Sequence, residues 1–141
     1  MIRRSRARLN QEKFSARSTL IHGDAIQLPF RDESFDGIFM SFVLELFDTP
    51  EIPQVLAECH RVLPAKGGRI CIVSLTKTGQ STWMRRLYEW GHRNFPKLLD
   101  CRPIFVQQVL EQIGYQIIET SRMLIWGLPV EIILARPENK R

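Results

Sequence analysis

The residues from Ser34 to Leu44, SFDGIFMSFVL, constrain this chain more than any other stretch. Phe35, Ile38, Phe39, Met40, Phe42 and Val43 make a nearly continuous apolar run of strand length. Such a run suits a strand covered on both faces, as in a parallel sheet. Parallel neighbours need a crossover, and a helical pattern follows at once. Thr49 offers an N-cap, Pro50 a first helical position, and Ile52, Val55, Leu56, Cys59 and Val62 recur at three- and four-residue intervals. Leu63-Pro64 ends the helix, because proline disfavours helical geometry in the residue before it. Gly67-Gly68 then turns the chain into Arg69 to Leu75, a second apolar strand. Strand, helix and strand within about forty residues predict a right-handed parallel crossover and an α/β fold.

The flanking segments add elements to that unit. Ile2 to Phe14 has helix-forming residues but a thin apolar stripe of Ile2, Ala7, Leu9 and Phe14. Thr19 to His22 is a short apolar run closed by Gly23-Asp24, which predicts a strand ending in a turn. Ser81 to His92 can form a helix with Trp83, Met84, Leu87, Tyr88 and Gly91 on one face. Pro103 opens a further helix with Phe105, Val106, Val109, Leu110 and Ile113 on one side, and Gly114 stands where it should end. Gln116 to Ile125 and Pro129 to Arg136, joined through Trp126-Gly127-Leu128, read as an antiparallel pair.

Length and composition bound the rest. At 141 residues the chain fits one domain, 1–141, with no internal repeat or low-complexity linker. A chain this long can bury about 68% of its unfolded surface, enough for a real core. The 44% apolar and 25% charged content is that of a globular protein, and no apolar stretch approaches the length of a membrane span. The basic start has no apolar segment behind it and does not read as a secretory signal. The net charge of +5 gathers mainly at the two ends and comes without any RNA-binding signature, so no nucleic-acid partner is expected. The three cysteines, Cys59, Cys71 and Cys101, are an odd number with no CxxC spacing. They encode neither a disulfide framework nor a zinc site, no metal is expected, and a reducing cytoplasm fits.

One ordered series of short motifs carries a resemblance. Gly23-Asp24-Ala25, Leu28-Pro29-Phe30 and Ser34-Phe35-Asp36 are followed by Glu58, Arg61-Val62-Leu63 and Gly67-Gly68-Arg69. No one of these is specific, but their order and spacing resemble the class I S-adenosylmethionine-dependent methyltransferases. The resemblance points to the methyltransferase type 11 branch that includes the quinone-biosynthesis enzymes. It implies a Rossmann-like, mostly parallel sheet with a reversed strand near the end, which the closing antiparallel pair would supply. The resemblance is to the C-terminal portion of that domain. The family's Gly-x-Gly loop, which cradles the methionine end of the cofactor, has no counterpart, since no G-x-G occurs in these residues. Where the family usually has two residues between RVL and GG, this chain has Pro64-Ala65-Lys66.

The resemblance also implies a site. Asp24 would accept a hydrogen bond from the exocyclic amine of adenine, a job suited to an acceptor-only carboxylate, while the Ala25 N–H donates to the ring. The residues alone leave a second role open for Asp24, capping the Gly23-Asp24 turn. Ser41 and Phe42, near the carboxyl end of the apolar strand, would present backbone groups to S-adenosylmethionine at the sheet edge where ligands sit. Asp36 falls at the other end of that strand and reads as structural, and Glu58 and Arg61 can pair on the helix surface. Trp83, Tyr88, Trp90, His92 and Phe95 occupy the family's substrate cover and imply a small ring-bearing or lipid-like acceptor, with peripheral membrane contact an open option. No triad is expected, because methyl transfer from a sulfonium depends chiefly on positioning.

Two functions are compatible with this reading. One is an S-adenosylmethionine-dependent methyltransferase whose remaining strands come from upstream or from another chain. The other is a non-catalytic remnant acting as a partner-binding module. A dehydrogenase on a related fold is disfavoured, because it too requires the glycine loop. Without the family's first strands, Phe35 to Val43 would present an apolar edge. Either the Leu20 to His22 segment slides beside it, or the chain self-associates.

Overall fold

The computed structural model describes residues 2–11, 14–75, 106–125 and 128–138. Helix α1, Ile2–Gln11, opens the chain, and its described side chains are exposed or half-buried. That is the consequence of its thin apolar stripe. The strand–helix–strand unit follows as β1 (Gly37–Ser41), α2 (Ile52–Val62) and β2 (Arg69–Leu75). Helix α3 (Val106–Ile113) leads into β3 (Tyr115–Ile125) and β4 (Leu128–Pro137).

The sheet has four strands in the order β1-β2-β4-β3. β1 and β2 are parallel, with Gly37 opposite Arg69 and Ser41 opposite Val73. β4 runs antiparallel to both of its neighbours, so β1, β2 and β3 share one direction and β4 alone is reversed. This is the mostly co-directional sheet with a closing antiparallel pair that the motifs imply. A register shift between Ile117 and Glu119 marks a bulge in β3.

Alternation along the strands decides where the core lies. Ile70 and Ile72 of β2 face Ala135 and Ile133 of β4 across the ladder, and all four are buried. With Met40 they pack under Ile52, Val55, Leu56 and Cys59 of α2 and under Val106 and Leu110 of α3. Tyr115 fixes α2 to β3, its buried hydroxyl donating to the Leu56 carbonyl at 3.2 Å. Gly114 has φ +97°, the left-handed conformation a helix stop requires, as its position predicts.

Four expectations need correction. Cover on both faces of β1 is not found among the described residues: Met40 is buried, but Phe39 on the opposite face is 70% exposed. The described helices that pack on the sheet, α2 and α3, share one core on the Met40 side, and no described helix lies on the other face. The apolar strand is also shorter than Ser34 to Leu44, because Phe42 turns to a φ of +51° and stops the ladder. Thr19 to His22 is not a strand and does not slide beside β1, whose described partner is β2 alone. Its run is too short to fix itself, with Leu20 half-buried and Ile21 exposed. Finally, α2 starts at Ile52 rather than at Pro50. Residues 48–51 form a turn instead, with the Glu51 N–H donating to the Asp48 carbonyl at 2.9 Å and the Asp48 N–H to the Glu51 carboxylate at 3.2 Å. Pro53 thus stands in the first helical turn.

Candidate functional site

The parallel pairing of β1 and β2 brings their carboxyl ends side by side, which in an open α/β sheet is the edge that receives ligands. Ser41 is exposed there. Phe42 follows with its N–H donating to the Val73 carbonyl at 2.9 Å. Its positive φ is an uncommon conformation for an aromatic residue, and strain of this kind concentrates at functional loops. Phe42 is also 40% exposed, so it is not the core residue its apolar surroundings would suggest. The chain then makes a single tight turn, Leu44–Leu46, which buries Glu45. The Glu45 Oε1 accepts the Leu75 N–H at 2.8 Å and so ties the end of β1 to the end of β2.

The loop Gly23 to Glu33 is held against α2 by a charged clamp. Arg61 binds the Glu58 carboxylate through Nε and Nη2, both at 2.8 Å. The same guanidinium donates to the Leu28 carbonyl at 3.2 Å, the Phe30 carbonyl at 2.9 Å and the Asp32 carboxylate at 2.7 Å. Glu58 in turn accepts the Leu28 N–H at 2.9 Å. A guanidinium supplies five donors in a fixed fork, which is why an arginine can gather two carboxylates and two carbonyls at once. The Arg61 hydrogen bond holds the Glu58 carboxyl below the usual range, and Glu58 and Asp32 raise the guanidinium above its own. The motif foresaw the Glu58–Arg61 pair but not its hold on the loop. Edge-on contact of Phe30 with Phe35, centroids 4.7 Å apart, closes the loop's far end.

Asp24 stands exposed at the start of this loop. Its Oδ1 accepts the Ile26 N–H at 3.0 Å, so the turn-capping role is present. The second oxygen has no such bond, and the Ala25 N–H has no partner among the described residues. Ala25 and Ile26 pack on the core, which seats the loop. Space at Gly23 is tight: a Cβ there would lie 3.2 Å from Pro29 Cδ, and the proline ring would have to give by a few tenths of an ångström. Asp36 sits at the opposite, amino end of β1, where its carbonyl accepts the Arg69 N–H at 3.2 Å, a structural position as expected. Burial pushes the Cys59 thiol up to about 11 and raises the Tyr115 phenol as well. Among the described residues no group of histidine, cysteine and carboxylate side chains could hold a metal. Trp83, Tyr88, Trp90, His92 and Phe95 lie outside the described residues.

Comparison with known proteins places the chain. The profile of a family described as a methyltransferase domain matches residues 1–72, and the chain belongs to that family. The demethylmenaquinone methyltransferase of Geobacillus kaustophilus is 38% identical over 92 residues, which cover 61% of this chain and 37% of that protein. The chain thus spans well under half the length of that curated relative. The PH0226 protein of Pyrococcus horikoshii superposes with a TM-score of 0.71 at 18% identity, over 98% of this chain and 69% of that one. A 1,6-didemethyltoxoflavin N1-methyltransferase of Burkholderia thailandensis, with 1,6-didemethyltoxoflavin and S-adenosylhomocysteine bound, gives 0.68 at 16% identity, over 94% of this chain and 56% of that one. At such identities these structures establish the fold. It is the α/β methyltransferase fold that the motifs imply.

Proposed function

We propose that this chain carries the adenine-binding and acceptor-facing portion of an S-adenosylmethionine-dependent methyltransferase, as one domain over residues 1–141. The observation that carries the reading is the Asp24–Ala25 turn, seated by the Arg61–Glu58 clamp in a chain of the methyltransferase family. The groups available there suit the adenine end of the cofactor: a carboxylate oxygen for the exocyclic amine and an amide N–H for the ring. Gly23 gives the loop room beside Pro29. Ser41 and Phe42 contribute backbone groups at the adjoining rim. No Gly-x-Gly loop for the methionine end occurs in these 141 residues, so we expect weak binding of the cofactor by this chain alone.

When bound, S-adenosylmethionine supplies a methyl group already activated on a sulfonium. The chain's task is then to orient the cofactor and acceptor and to keep water out. On this reading the acceptor is a small ring-bearing or lipid-like molecule, in keeping with the quinone for which the Geobacillus relative is named, and Trp83, Tyr88, Trp90, His92 and Phe95 remain the candidates for its cover. A cytoplasmic location goes with this reading, as do contact with the membrane surface and association with a second copy or a completing chain. No described helix is long and apolar enough to cross a membrane.

Calorimetric titration with S-adenosylmethionine tests the proposal on wild type and on Asp24→Asn and Asp24→Ala. One hydrogen bond to a charged acceptor corresponds to about tenfold or more in affinity, and both variants should lose that much. Undiminished binding in both variants would remove Asp24 from the site.

A further inference from the structure

A buried carboxylate on β4 holds an exposed arginine at the carboxyl rim. Glu131 is only 5% exposed, and its Oε1 accepts the Arg122 Nε–H at 2.8 Å and the Gln107 amide at 3.4 Å. Gln107 also donates to the Thr120 hydroxyl at 3.2 Å, so α3, β3 and β4 meet in one polar joint. The Arg122 side chain itself is 55% exposed, and its two Nη groups donate to no described residue. Register sets its level: Arg122 pairs with Glu131, Glu131 with Ser74, and Ser74 follows Val73, the partner of Ser41. Arg122 therefore stands on the same rim as Ser41, three strand spacings of about 4.8 Å away. Burying a carboxylate to pair it with a surface arginine is a poor way to gain stability, because desolvation offsets much of the attraction. What the pair does achieve is orientation. With Nε committed to Glu131, both Nη groups are left for another acceptor, and a planar fork matches the paired oxygens of an oxyanion. Leu124, the next side chain on the same face, lies one strand repeat of roughly 7 Å nearer the rim and is 73% exposed. An oriented cation followed by an exposed apolar side chain suits a ring-bearing anion.

We propose that Arg122 is a binding residue of the methyl-acceptor subsite, its Nη groups donating to an oxyanion on a ring-bearing acceptor, with Glu131 as its positioning residue. This deepens the methyltransferase reading and rests on it. It makes the subsite selective for anionic acceptors over their neutral counterparts. The anchor stands at the opposite end of the rim from Ser41 and Phe42, which leaves the strand ends between them for the ring.

The test uses the full 141-residue chain with 2-naphthoate and 2-naphthamide, one ring system with and without the anionic oxygen pair, and with acetate, a carboxylate without the ring. Wild type should bind 2-naphthoate about tenfold or more tightly than the amide. Arg122→Gln should lose that preference, and Arg122→Lys, which keeps the charge but not the fork, should retain part of it. The Arg122 Nε–H resonance of wild type should move on addition of 2-naphthoate and stay in place with the amide and with acetate. That measurement needs no variant and decides the matter should a variant fail to fold. Equal affinity for 2-naphthoate and 2-naphthamide, binding of neither, an intact preference in Arg122→Gln, or an equal response to acetate overturns the proposal. None of the probes needs S-adenosylmethionine. A failed cofactor titration beside an intact naphthoate preference withdraws the cofactor reading alone, and the reverse result withdraws Arg122 alone.

Discussion

Gly68 shows how one residue can be fixed by its neighbours. A Cβ at this position would come within 2.5 Å of the Pro64 carbonyl oxygen and 3.1 Å of both Leu63 Cβ and Pro64 Cδ. Backbone cannot yield as a flexible side chain can, and the Gly68 N–H already donates to that same carbonyl at 3.1 Å. The extra residue between Leu63 and Gly67 is absorbed by this turn, in which Gly67 takes a φ of +97°. We therefore expect Gly68→Ala to lower stability by about 2 kcal/mol through overpacking, as measured by urea denaturation. Gly67→Ala has open space around it and should cost about 1 kcal/mol, from its dihedral alone. At this scale the glycine pair was legible as a turn, because its chemistry is local. Glu45 was not. A single acid within FVLELF shows only that something polar enters an apolar run, and its partner Leu75 lies thirty residues away.

Elements are joined here by charge as well as by apolar packing, and the clamp between the Gly23 to Glu33 loop and α2 is the main instance. Its three charged members, Asp32, Glu58 and Arg61, come from both sides of the joint. The Glu58 carboxyl is held below the ordinary carboxyl range chiefly by its hydrogen bond with Arg61. A carboxyl that is more acidic in the folded chain adds stability that is fully present above the unfolded value. That stability is lost as the pH falls through the lower folded value. Wild type should therefore exceed Glu58→Gln in stability at neutral pH, and the gap should close progressively below about pH 4.5 in acid titrations followed by circular dichroism. A gap independent of pH would deny the clamp its charge. The strand–helix–strand order, the buried face of α2 and the closing antiparallel pair were all legible, because periodicity records burial against a partner. The helix start was misplaced because Thr49-Pro50 has the local chemistry of a cap, while the Asp48–Glu51 turn depends on a side chain reaching back.

For the molecule as a whole, the consequential feature is the outer edge of β1. The residues implied either that Leu20 to His22 slides in beside β1 or that a second copy associates there, and the slide does not occur. Among the described residues β1 is hydrogen-bonded on one side only, to β2. Beside that free edge stands Phe39, 70% exposed, with Phe35 and Phe42 also open to solvent. The edge carries neither the lysine nor the proline with which natural edge strands discourage pairing. Backbone groups that can pair and an apolar side chain that can be buried in the same event favour strand addition, and a second copy always offers the matching edge. The 141-residue chain should accordingly elute above monomer mass in size-exclusion chromatography with light scattering, increasingly so as its concentration rises. Phe39→Lys should shift it toward monomer by placing a charge where two edges would meet, while leaving the Met40 face and the thermal transition intact. A wild-type chain that stays monomeric across the accessible concentration range would show that this edge is closed in solution by some other part of the polypeptide.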